Sequence, residues 1–121
     1  MSEDEREEKI YHGTTKGVAV AIVGAKKFQE KETYFASEKS LAEYFAKRSH
    51  SKRPADGGPA VVSVSLYESD LKEWKAAGAY TPLPFDESDA PELKNKIQLK
   101  FKGNGVAKLN TYMFKDTLKV E

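Results

Sequence analysis

The apolar residues of this chain change period several times over a short length, and that switching limits the possible folds more than any other feature. Val18, Ala19, Ile22 and Val23 recur at helical spacing, whereas Val62, Val64 and Leu66 alternate with Val61, Ser63 and Ser65 as a strand does. Ile97, Leu99 and Phe101 alternate again. A helix with one apolar stripe and a strand with one apolar face each need a partner to cover that surface. The chain is therefore expected to be α+β, with its elements packed on one another. Its 121 residues leave room for one domain.

Residues 1–9 hold five acids and no apolar run, and read as an acidic flexible tail ahead of a single domain over residues 10–121. Within the domain, Ile10 to His12 predicts a first strand ending at Gly13, with Thr14 and Thr15 offering a hydroxyl cap to a helix that stops near Gly24. Thr33 to Ala36 predicts a strand. Ser37 would cap a second helix carrying Leu41, Ala42, Phe45 and Ala46 on one side and ending by Ser49. Ala60 to Leu66 predicts a strand covered on one side, and Ser69 a cap for a short helix through Trp74. Glycine and proline mark loops around Arg53 to Pro59 and Thr81 to Pro91. Gly103-Asn104-Gly105 predicts a turn into a last strand-like stretch from Leu109 through Phe114 toward Val120.

Composition narrows the chemistry. Twenty basic residues against nineteen acidic ones leave a formal charge of +1, too little for general electrostatic capture of nucleic acid. The absence of cysteine removes disulfide scaffolds, thiol nucleophiles and cysteine-based zinc sites. His12 and His50 are the only imidazoles and neither has metalloprotease spacing, so no metal is expected. The longest apolar stretch, Val18 to Ala25, is far short of the roughly 20 residues that cross a bilayer. The acidic start is the opposite of a secretory signal. A soluble cytoplasmic monomer with no membrane partner is expected, and delivery by a specialised secretion route would leave no such signal.

No nucleophile elbow, phosphate loop or dinucleotide glycine fingerprint occurs. What does occur is an ordered set: Tyr11-His12-Gly13-Thr14, an alanine-containing helix, Tyr34-Phe35-Ala36, then Leu41-Ala42-Glu43-Tyr44. This set resembles the ADP-ribosyltransferase superfamily, in its diphtheria-toxin and poly(ADP-ribose) polymerase branch, over Ile10 to about Asp116. The resemblance implies a split β-sandwich, with short helices flanking the sheets and a cleft for NAD⁺ as co-substrate. It also implies roles. His12 would hydrogen-bond a ribose hydroxyl of the adenosine half, and Gly13 would present its backbone to the nicotinamide carboxamide. Thr14 would add a hydroxyl, Ala36 would line the dinucleotide site, and Tyr44 and Tyr34 would sandwich the nicotinamide ring.

The implied reaction displaces nicotinamide from the ribose through a cationic transition state that a carboxylate stabilises. The family's Asn-Glu-Tyr pattern laid on Asn110-Thr111-Tyr112 puts Thr111 at the glutamate position, alongside His12 and Tyr34 in the implied catalytic set. Thr111 carries no charge. Glu68, Asp70, Glu87, Asp89 and Asp116 are candidates to replace it.

The expected activity is accordingly mono-ADP-ribosyl transfer from NAD⁺ to a protein or nucleic-acid acceptor with release of nicotinamide. A toxin-like effector with a cognate inhibitor partner is one setting for it. NAD⁺ hydrolysis, or a catalytically inactive module binding NAD⁺, ADP-ribose or protein, are the alternatives. Removal of a 2′-phosphate from RNA ranks low, because the chain has only Arg6, Arg48 and Arg53 to hold phosphate. The basic run from Lys47 to Arg53 reads as a helix C-terminus and solvated loop or as a contact for phosphates or an acidic target. Pro82 to Phe85 reads as an apolar tip facing the acceptor or packing on the sheet.

Overall fold

A computed structural model describes residues 6–121. Strand β1 (Glu7–Thr15) leads into helix α1 (Lys16–Ala25), strand β2 (Glu32–Ala36) and helix α2 (Lys39–Lys52). After a single 3₁₀ turn at Pro54–Asp56 come β3 (Pro59–Tyr67), α3 (Glu68–Ala76) and β4 (Tyr80–Pro84). A second 3₁₀ turn at Pro91–Leu93 precedes β5 (Ile97–Lys102), α4 (Asn104–Tyr112) and β6 (Phe114–Val120). The six strands form one antiparallel sheet in the order β4-β5-β2-β1-β3-β6. The α+β expectation holds at this level. Among the described residues, no helix is long and apolar enough to cross a membrane.

The sheet is covered on both faces. On one, Ile10, Phe35, Val62, Val64, Leu66 and Phe101 meet Ala19 and Ile22 of α1, Leu71 and Trp74 of α3, and Val106 and Leu109 of α4. On the other, Ala36 and Val61 meet Leu41, Ala42 and Ala46 of α2, closed over by Phe85, Ala90 and Leu93. So β3 is not covered on one side only: Val61 and Ser63 are as buried as Val62 and Val64, because α2 lies over them.

Several boundaries differ from expectation for identifiable reasons. Strand β1 begins at Glu7, which pairs with Tyr67, so residues 7–9 belong to the sheet and only residues 1–5 of the expected tail lie outside the described residues. The expected loop at Thr81 to Pro91 opens with β4, an edge strand where Pro82 and Pro84 cost no inward ladder bond. Phe85 is buried, so that segment packs on the sheet. Leu109 to Tyr112 is helix, not strand. Gly103 takes φ +48° and turns the chain, and Val106, Leu109 and Met113 then reach the core at three- and four-residue spacing. Neither serine caps as expected: α2 starts after Glu38 and α3 after Tyr67, and the Ser37 hydroxyl bonds the Ile97 carbonyl at 3.2 Å instead. Helix α2 runs on to Lys52, past Ser49. Thr15 stands at the α1 cap position, but its buried Oγ1 makes no capping bond.

The sheet is unevenly sewn. Strands β1 and β3 pair along their whole length, from Glu7 with Tyr67 to Thr15 with Pro59. Strands β1 and β2 register at Tyr11 with Ala36. Just past that point the His12 side chain, not its backbone, continues the link: its Nδ1–H donates to the Tyr34 carbonyl at 2.8 Å.

Candidate functional site

Two clefts open where β1 and β2 part, and His12 and Glu30 line both of them. One, of about 430 Å³, is mainly apolar. Gly17, Val18, Ala21 and Ile22 of α1 form one wall, with Phe28 and Gln29 of the α1–β2 loop, Thr33 of β2 and Asp56 around them. The other, of about 480 Å³, is charged and aromatic. Its walls are Gly13, Glu32, Tyr34 and Gln98 of the sheet, Phe45, Arg48, Ser49 and Lys52 of α2, and Leu83, Phe85 and Glu87.

His12 sits at the junction with its chemistry already set. A carbonyl only accepts, so the bond to Tyr34 fixes the proton on Nδ1 and leaves Nε2 as the acceptor. Desolvation holds the imidazole below its ordinary value of 6.5. The Tyr34 carbonyl and the Glu30 carboxylate pull the other way, and Arg53 adds to the depression. The ring packs edge-on to Phe28 and tilted against Phe35, at centroid distances of 5.7 and 5.5 Å. Those contacts fix its plane.

Tyr34 is partly exposed in the charged cleft, and the Lys100 ammonium lies 5.6 Å from its ring centre while reaching Glu32 at 3.6 Å. One side of the phenol thus already faces a cation. Its cross-strand neighbourhood follows from register: Tyr34 stands opposite Lys100 and Ala36 opposite Gln98. Gln98 is a site residue that sequence reading passed over. The alternation of Ile97, Leu99 and Phe101 defines the core face of β5, and by the period of two it puts Gln98 on the cleft face beside Tyr34.

The other expected site residues separate into those at the cleft and those away from it. Gly13 lines the charged cleft, but its missing side chain serves packing. A Cβ there would lie 2.0 Å from the Ala42 carbonyl oxygen and 2.6 Å from the Ala46 nitrogen, so glycine is what lets α2 settle on β1. Thr14 and Ala36 are buried and line neither cleft. Tyr44 also lines neither. It stacks edge-on behind Phe85 at 5.1 Å, donates its hydroxyl to Asp89 at 3.0 Å, and carries the Arg48 guanidinium 5.8 Å from its ring centre. The aromatic that shares the cleft with Tyr34 is the next residue, Phe45. Tyr44 backs that wall from a second layer.

Thr111 is displaced altogether. It lies on the exposed side of α4, its hydroxyl donating back to the Ala107 carbonyl at 2.9 Å, because the segment is helical and not part of the cleft strand. Its neighbour Asn110 has a clear role: the side chain accepts from the Phe28 N–H at 2.8 Å and donates to the Phe28 carbonyl at 2.9 Å. With the Gly103 N–H bonded to the Lys31 carbonyl at 2.8 Å, this fixes the loop that carries Glu30. Of the carboxylates expected to stand in for Thr111, Glu87 lines the cleft. Glu68 and Asp70 open α3, Asp116 lies on β6, and Asp89 holds Tyr44.

Comparison of the chain with protein-family models, with curated proteins and with solved structures gives no match.

Proposed function

We propose that the paired clefts bind NAD⁺ and that the protein is a mono-ADP-ribosyltransferase, moving ADP-ribose to a macromolecular acceptor with release of nicotinamide. The observation that carries this reading is the meeting of two lobes at His12 and Glu30, one apolar and one charged and aromatic, each with the volume of a small-ligand pocket. A dinucleotide has that division. Its adenosine end suits the apolar wall of α1, and its cationic nicotinamide suits Tyr34 and Phe45. At the junction, neutral His12 offers Nε2 to a ribose hydroxyl. Arg48 and Lys52 at the cleft wall supply charge for the diphosphate. The strands form one six-stranded sheet and not two; the short pairing of β1 with β2, with α2 on the second face, is the feature that supports reading it as a split sandwich of the ADP-ribosyltransferase type.

Incubating the protein with nicotinamide-labelled NAD⁺ and a cell lysate tests the reading. Release of nicotinamide with labelling of macromolecules is expected, and His12→Ala should abolish both. A correctly folded protein that neither binds NAD⁺ nor releases nicotinamide would sink it.

One observation favours a second reading, that of a binding module. The β5 residue that lines the charged cleft is Gln98, which is uncharged. Calorimetric binding of NAD⁺ without nicotinamide release would select this reading over the first.

A further inference from the structure

Resting on the transferase reading, we infer that Glu30 is the catalytic carboxylate, facing the sugar carbon at the junction of the two lobes. Three glutamates line the charged cleft: Glu30, Glu32 and Glu87. Glu32 is engaged by Lys100 at 3.6 Å and Glu87 by Arg48 at 3.7 Å. Glu30 has no ion pair among the described residues, and it alone of the three also lines the apolar lobe. Its charge already reaches the junction, since it acts on the His12 imidazole. The loop beneath it is fixed on both sides, by Asn110 at Phe28 and by Gly103 at Lys31. His12 and Glu30 are the two residues that line both lobes.

In the step this geometry serves, the bond from the ribose anomeric carbon to the nicotinamide nitrogen breaks. Its electron pair goes to that nitrogen, which leaves as neutral nicotinamide. Positive charge builds on the sugar, where the Glu30 carboxylate offsets it. An acceptor N–H or O–H then forms the new bond to the same carbon, and its proton passes to Glu30 and on to water. Glu30 ends the cycle ionised, as it began.

The test compares wild type, Glu30→Gln, Glu30→Asp and His12→Ala for NAD⁺ binding by calorimetry and for nicotinamide release. Glu30→Gln should fold and bind NAD⁺ as wild type does, yet lose on the order of 10²-fold or more in turnover, with partial recovery in Glu30→Asp. Its His12 imidazole should also titrate lower by NMR, because the carboxylate that raises it is gone. Turnover by Glu30→Gln at the wild-type rate, with His12→Ala inactive, overturns the role of Glu30 and leaves the NAD⁺ reading standing. Wild-type protein that binds NAD⁺ without turnover also overturns it, and protein that does not bind NAD⁺ overturns both.

Discussion

The two edges of β1 differ sharply. Against β3 it is zipped from Glu7 to Thr15, whereas against β2 it is joined at Tyr11 and then by one histidine side chain. Backbone ladders are satisfied by any sequence and hold strands about 4.8 Å apart, which leaves no room between them. A junction closed by side chains leaves room, and its geometry belongs to particular residues: His12, Phe28 and Phe35 at the parting, α2 over one face and the α1–β2 loop over the other. The closed edge supplies rigidity. The open edge supplies both clefts.

That contrast can be broken from either face. The largest effect should come from Gly13→Ala, whose new methyl meets the backbone of α2. We expect a loss of about 3 kcal/mol in chemical unfolding, at the upper end for overpacking, with the charged cleft lost as α2 lifts. Asn110→Ala acts from the other face. It leaves the Phe28 N–H and carbonyl without their partner, so about 1–3 kcal/mol should go, and hydrogen exchange should rise first in residues 26–31.

His12 sharpens the comparison through pH. Its imidazole is depressed below 6.5 in the folded protein, so on acidification from neutrality the unfolded chain takes up the proton first. Stability should therefore fall as pH drops through 6.5, until the folded group is protonated too. Urea melts across that range should be flatter for His12→Asn, which cannot titrate. The smallest effect, and the control, is Gly24→Ala in α1. A Cβ there meets nothing within 4 Å, so the helix should gain about 0.5–1 kcal/mol with both clefts intact.

The period of the apolar residues made most elements legible, because β3 and α2 turn the stripe their spacing presents toward the core and β5 buries Leu99 and Phe101, leaving Ile97 exposed at its start. It failed where two periods overlap. Leu109, Thr111 and Met113 alternate like a strand, and Val106 with Leu109 tips the segment to helix once Gly103 has turned the chain. The clefts were legible in part. His12, Gly13 and Tyr34, singled out by the ordered motif, line one cleft, whereas Phe45, Gln98 and Glu30 carry no local signal of their own. Cross-strand register selects Gln98, helix packing turns Phe45 rather than Tyr44 into the cleft, and a side chain from α4 places Glu30. These are long-range facts, absent from any window of sequence.

The amide of Asn110 gives the molecule a remote handle. It sits on α4, touches neither cleft, and still governs the segment at their meeting point. A random-mutagenesis screen for defective protein should therefore yield a cluster of hits there that looks unrelated to ligand contact. Suppressors of such a hit should return an amide at position 110 itself, since the other end of the tether is the Phe28 backbone, which no substitution can extend.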